Sequence, residues 1–166
     1  MSALRLTSSF RAATRSVAAA RVARRTYADV ADGALKLSLV LPHQAIYSAS
    51  GVTQVNIPAS TGDMGILANH VASIEALRPG VVEVIEEGGK VNKWFVSTGF
   101  ATVHGNNSLT INAVEAYPLE QFSLEAVRAG LAEANKVIAS SAPEAEKAEA
   151  KIELDVFEAL QAALAK

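Results

Sequence analysis

Three histidines, a handful of acid–base pairs and one glycine-bracketed segment are the side chains in this sequence that could do chemistry. His43, His70 and His104 are widely separated, and none stands four residues from another or within a His-Glu-x-x-His helix, so their spacing does not favour a metal site. The chain has no cysteine, which excludes disulfide scaffolds, zinc-thiolate sites and thiol catalysis. There is neither a Gly-x-x-x-x-Gly-Lys-Ser/Thr loop nor a Gly-x-Gly-x-x-Gly turn to cradle a phosphate, and Gly88-Gly89-Lys90 reads instead as a hairpin turn. Glu125 and Arg128, three apart on a predicted helix, form the one weak nucleotide candidate; the simpler reading is an intrahelical ion pair worth a few tenths of a kcal/mol. The remaining candidate is Ser60 to His70. Its two glycines three apart predict a sharp exposed loop with Met64 at the tip as an adaptable apolar contact, and Asp63 and His70 flank it as polar handles. That set suits an interaction loop. A hydrolase built on Asp63 and His70 would lack a nucleophile. No catalytic residue, metal ligand or cofactor is assigned.

These residues must be positioned by the elements around them, and the chain divides by pattern. Residues 1–27 contain six arginines (Arg5, Arg11, Arg15, Arg21, Arg24, Arg25) and no acid. An Arg-rich, Ser-, Thr- and Ala-rich stretch free of acids has the composition of an organelle transit peptide, and its longest apolar run, Val17 to Ala20, is too short for a secretory signal. Cleavage is expected near Ala28, after Arg25-Thr26-Tyr27. The remaining 139 residues carry 9 basic and 17 acidic side chains, a net of −8, which repels phosphate and argues against nucleic acid. No apolar stretch approaches the ~20 residues needed to cross a bilayer. Asn106-Asn107-Ser108 matches a glycosylation acceptor, but import into an organelle would keep it from that modification.

Residues 28–118 predict a β domain. Short period-two runs appear at Leu35 to Leu39, at Val52 to Ile57 with a stop at Pro58, and in two hairpins: Val81–Glu86 with Val91–Ser97, and Phe100–Val103 with Ser108–Ala113. Such spacing indicates an antiparallel sandwich or barrel. Residues 119–166 predict two helices. Ser123 is an N-cap, followed by Leu124, Val127, Leu131, Ala134 and Ile138 on one face. Ser141 and Glu144 have capping-box spacing, Pro143 suits the first turn, and Ala145, Ala148, Ile152, Val156, Ala159 and Ala163 form the second helix's stripe, widened by Phe157, Leu160 and Leu164. The two would close as an antiparallel hairpin.

The segments Ser60 to Gly80 (STGDMGILANHVASIEALRPG) and Phe95 to Phe122 (FVSTGFATVHGNNSLTINAVEAYPLEQF) resemble the rotor-subunit family called delta in mitochondrial F-type ATP synthase and epsilon in bacteria and chloroplasts. The resemblance spans Leu35 to Lys166 and implies an α+β fold, a two-sheet antiparallel β-sandwich followed by a two-helix hairpin. It implies a non-catalytic central-stalk subunit that links the gamma subunit to the c-ring, touches the small mitochondrial epsilon subunit, and meets the inner membrane on its matrix side only through the c-ring. Asp63, Met64 and His70 would then be interface residues toward the c-ring and gamma, with the Asp63 to His70 loop facing the c-ring. Ala68-Asn69-His70-Val71-Ala72 replaces the bacterial Pro-Gly-His-x-Pro, and Glu125 stands where the bacterial nucleotide motif has Asp. An ATP-sensing hairpin is the alternative reading within the same motor.

Overall fold

A computed structural model of the chain describes residues 34–165. The predicted presequence, residues 1–27, lies outside them. Ten strands come first: β1 (Leu35–Val40), β2 (Ala45–Val52), β3 (Gln54–Ala59), β4 (Gly62–Leu67), β5 (Ser73–Leu77), β6 (Gly80–Ile85), β7 (Val91–Val96), β8 (Gly99–His104), β9 (Ser108–Ala113) and β10 (Ala116–Pro118). A single 3-10 turn (Leu119–Gln121) leads into α1 (Leu124–Ala139) and α2 (Glu144–Leu164). The strands form two layers, β10-β7-β6-β3-β4 and β5-β8-β9-β1-β2, continuous through β3 and the bend between β5 and β6.

Period-two alternation builds the core between the layers. Leu35, Leu37 and Leu39 of β1, Val55 and Ile57 of β3, Val82 and Val84 of β6, and Leu109 and Ile111 of β9 are all essentially inaccessible to solvent. Burying each such side chain is worth about 1.5–3 kcal/mol. Tyr47 on β2 packs edge-on against Trp94 on β7 at 6.4 Å and its hydroxyl accepts from Asn92, which ties the far ends of the two layers together.

The predicted hairpins are present, with Gly88 and Gly89 at positive φ in the first and Asn107 in the second. Four expectations change. The sandwich is not purely antiparallel: β1 runs parallel to β9 while pairing antiparallel with β2. Strand β2 was not legible, because its register slips opposite Leu37 to Leu39, with Ala49 at φ 49°, and its exposed edge carries no clean alternation. Strand β3 does not stop at Pro58 but continues to Ala59. The proline sits where β3 changes partner from β6 to β5, so the ladder donor it lacks falls at the bend beside Gly80, and its carbonyl accepts from Arg78. The fourth concerns the helices. Ser123 caps α1 as expected, accepting from the Ala126 amide. At α2, however, Pro143 is itself the N-cap and the Ser141–Glu144 box is absent, the Ala142 amide donating to Ser140 instead.

The hairpin lies over the outer face of β6, β7 and β10, where Val127 and Leu160 pack on Phe95 with Val81, Leu119, Phe122, Val156 and Ala159 around them. Only the C-terminal half of α2 reaches the sandwich. Its N-terminal half therefore buries Ala150, with Leu154 at helical spacing, and leaves Ala145, Ala148 and Ile152 of the predicted stripe exposed. Gly130 of α1 makes the close approach feasible, since a Cβ there would lie 2.5 Å from the Phe157 ring.

Candidate interaction surface

The Ser60 to His70 segment is a β-hairpin arm and not a loop. It turns at Ser60-Thr61, and β4 then pairs with β3 through six consecutive residues, from Gly62 opposite Ala59 to Leu67 opposite Gln54. Met64 consequently does not occupy a tip. It points inward with Ile66, half-buried against the main core, while Asp63, Gly65 and Leu67 face outward. Asp63 is an exposed carboxylate held by the Arg78 guanidinium at 2.5 Å. On the same outer face a polar row crosses three strands: Gln54 donates to Asn56, Asn56 donates to Glu83, and Glu83 pairs with Lys93 at 3.2 Å. A groove of about 440 Å³ lies between this row, Asp63 and Gly65 on one side and Ala159, Ala162 and Ala163 of α2 on the other.

His70 belongs to the opposite end of β4, roughly 13 Å of strand from Asp63 to Leu67 and then a turn. The Leu67 carbonyl accepts from the His70 amide, Asn69 adopts φ 64°, and the Asn69 amide donates to Asn107 Oδ1 at 2.6 Å, docking this turn on the β8–β9 turn. The His70 ring donates from Nδ1 to the Val71 carbonyl at 2.8 Å. Beside His70 the outer face of β5 and β8 exposes Ile74, Ala76 and Phe100, with Thr102 and His104 farther along β8. Ile74 is 71% exposed and Phe100 59%, Ala76, also exposed, stands directly across from Phe100, and Val71, just before β5, is 75% exposed. Isolated exposed hydrophobics are ordinary, whereas neighbouring ones on one sheet face make a candidate contact surface. The sequence held a signal for it: Phe100 falls on the face opposite buried Ala101 and Val103, which polar alternation would have left hydrophilic.

The other candidates do not converge. His43 is exposed, and His104 lies within 3.2 Å of the Thr110 hydroxyl. Among the described residues no three His, Asp or Glu side chains are grouped to hold a metal. Glu125 and Arg128 are both exposed on α1, no ion pair joins them among the described residues, and neither lines the groove under α2. Next to the hairpin, Tyr117 has its hydroxyl pKa raised above the ordinary value by a hydrogen bond to Glu115 and that carboxylate's charge.

Comparison with known proteins accounts for the whole described chain. Residues 34–119 match the family described as ATP synthase, Delta/Epsilon chain, beta-sandwich domain, and residues 122–162 match the fungal epsilon subunit of F1F0-ATP synthase C-terminal domain. The mitochondrial ATP synthase subunit delta of Agaricus bisporus is 64% identical over 166 residues, covering all of both chains. That of Kluyveromyces lactis is 61% identical over 143 residues, covering 86% of this chain and 89% of the relative. Among solved structures, a chain of the Euglena gracilis mitochondrial ATP synthase (OSCP/F1/c-ring) superposes with a TM-score of 0.76 at 35% identity, covering 84% of this chain and 87% of that one. A chain of the Tetrahymena thermophila central stalk and c-ring shares the fold, with a TM-score of 0.60 at 19% identity over 78% of this chain and 95% of that one.

Proposed function

This chain belongs to the ATP synthase delta/epsilon family, and on that premise we propose that it is a non-catalytic subunit of the mitochondrial ATP synthase rotor, joining the gamma subunit to the c-ring so that proton-driven rotation reaches the catalytic head. The carrying observation is the apolar outer face of Val71, Ile74 and Phe100 beside His70. A subunit that turns with its shaft needs a permanent contact, and permanent contacts are the more hydrophobic ones. This face takes the gamma subunit. The other end of β4, where Asp63 and Arg78 are exposed and charged, takes the polar surface of the c-ring, with half-buried Met64 beside them. The helical hairpin covers the outer face of β6 and β7 and offers its remaining surface to the small epsilon subunit. The protein would reside on the matrix side of the inner membrane, held there by the c-ring.

A photo-crosslinker placed at Phe100 in the intact synthase is expected to capture gamma, and one at Asp63 to capture subunit c. Capture of the same subunit from both positions, or of neither, would overturn this placement. The ATP-sensing alternative would place the nucleotide on Glu125 and Arg128, both exposed on α1.

A further inference from the structure

We propose that Asn107 is a positioning residue for the gamma contact: its side-chain carbonyl holds the β4–β5 turn, and with it His70 and Val71, against the sandwich. The five residues from Ala68 to Ala72 lie in no strand and cross from one layer to the other. Among the described residues one hydrogen bond ties them to another part of the chain, the one that the Asn69 amide donates to Asn107 Oδ1 at 2.6 Å. The other two, from the His70 amide to the Leu67 carbonyl and from the His70 ring to the Val71 carbonyl, are local, within residues 67–71.

Asn107 suits this task in both its backbone and its side chain. It stands at φ 56° in the three-residue turn between β8 and β9, a left-handed conformation that asparagine tolerates better than most residues. Its backbone carbonyl accepts from the Lys36 amide at 2.8 Å, beside the register pair Lys36 and Ser108, which fixes the residue to the start of β1. The side-chain carbonyl is left to reach a segment 38 residues away. Asn106 has a separate part, accepting from the Ser108 hydroxyl at 2.5 Å, so the Asn106-Asn107-Ser108 triplet is accounted for by turn building and docking. Without the Asn69–Asn107 bond, residues 68–72 are anchored where β4 ends and β5 begins, and Val71 loses its fixed place beside Ile74 and Phe100. A binding surface that is correctly arranged for only a fraction of the time binds more weakly by that fraction. The inference rests on the gamma contact proposed above.

Amide hydrogen exchange in the isolated subunit, and recovery of the subunit with the intact synthase, test it together in the wild type, Asn107→Gly and Asn107→Asp. Glycine keeps the positive φ and the backbone carbonyl that Lys36 uses, and removes only the side-chain acceptor. Aspartate restores an acceptor of the same shape. The Asn69 amide should exchange about fivefold faster in Asn107→Gly than in the wild type, the factor one net hydrogen bond supplies, and Asn107→Asp should return it to the wild-type rate. Recovery with synthase purified from cells expressing only the variant should fall about fivefold for the glycine variant and be restored by aspartate. Equal exchange at Asn69 in the wild type and Asn107→Gly would overturn the clamp. Faster exchange with undiminished recovery would overturn its part in assembly, and loss of recovery in both variants would show that the side-chain carbonyl is not the group at work. Loss of cooperative melting in Asn107→Gly would make Asn107 a folding residue and overturn the proposal as well. Absence of the wild-type subunit from the synthase would overturn the rotor reading and the assembly role with it, and the exchange rates would distinguish that failure from failure of the clamp.

Discussion

Replacing Ile74 and Phe100 together by threonine is expected to release this subunit from the synthase by roughly a hundredfold while leaving its fold intact. The two effects separate because these side chains contribute to different states. Both are largely exposed, and threonine is a good strand former, so each substitution should change the stability of the isolated protein by no more than about 0.5 kcal/mol. In the assembly they would lie at the centre of the gamma contact, where losing a large apolar anchor costs about 2 kcal/mol or more. They occupy one sheet face and their effects will not be fully additive, so ~3 kcal/mol for the pair is the reasonable expectation. Thermal melting of the isolated double variant, measured beside its recovery with synthase purified from cells expressing only that variant, reads both quantities. A variant that melts normally and is fully retained would show that the apolar face is not the gamma contact.

The largest effect on folding is expected at Gly99. This residue opens β8 at φ 158°, opposite Ala113 of β9, and a Cβ there would lie 2.2 Å from the Asn112 carbonyl oxygen and 2.8 Å from the Ala113 Cα. Both obstacles are backbone, within a ladder that also carries Ala101, Val103, Leu109 and Ile111 into the core. No rotamer change relieves the clash, so β8 and β9 must part locally. Gly99→Ala is therefore expected to cost about 3 kcal/mol or more, combining overpacking with backbone strain. Gly51→Ala is the matched control: nothing lies within 4 Å of its Cβ, and its expected change is within about 0.5 kcal/mol. Urea denaturation of the two variants should show a lowered midpoint for the first alone. Equal midpoints would mean that the two strands can separate at Gly99 without loss.

Where sequence alone was sufficient, the reason is that local chemistry and tertiary demand agreed. Gly88-Gly89 needs positive φ and obtains it in a turn, Leu35, Leu37 and Leu39 alternate because one face of β1 is core, and Ser123 caps the helix that follows it. It misled where tertiary context prevailed. Gly62 and Gly65 look like loop residues, yet β3 supplies six partners that hold them in a strand, and Met64 is drawn inward by the pleat. Pro58 looks like a strand terminator, but its missing donor coincides with the one place where β3 changes neighbours. The alanine stripe of α2 correctly marks a helix; how much of it is covered depends on where the sandwich ends, which periodicity does not encode. The candidate surface is half legible in the sequence. Asp63 and His70 were identified as polar handles of one loop, whereas the strand between them places them at opposite ends, and the apolar face beside His70 emerges only once Ile74 and Phe100 are set on neighbouring strands.

The rotor assignment is tested most directly by native electrophoresis of detergent-solubilised mitochondria, with this subunit followed by mass spectrometry or immunoblot. It should migrate with the intact ATP synthase and remain with the gamma subunit and c-ring when the catalytic head is stripped away. Recovery only as a free monomer in the matrix extract would contradict it.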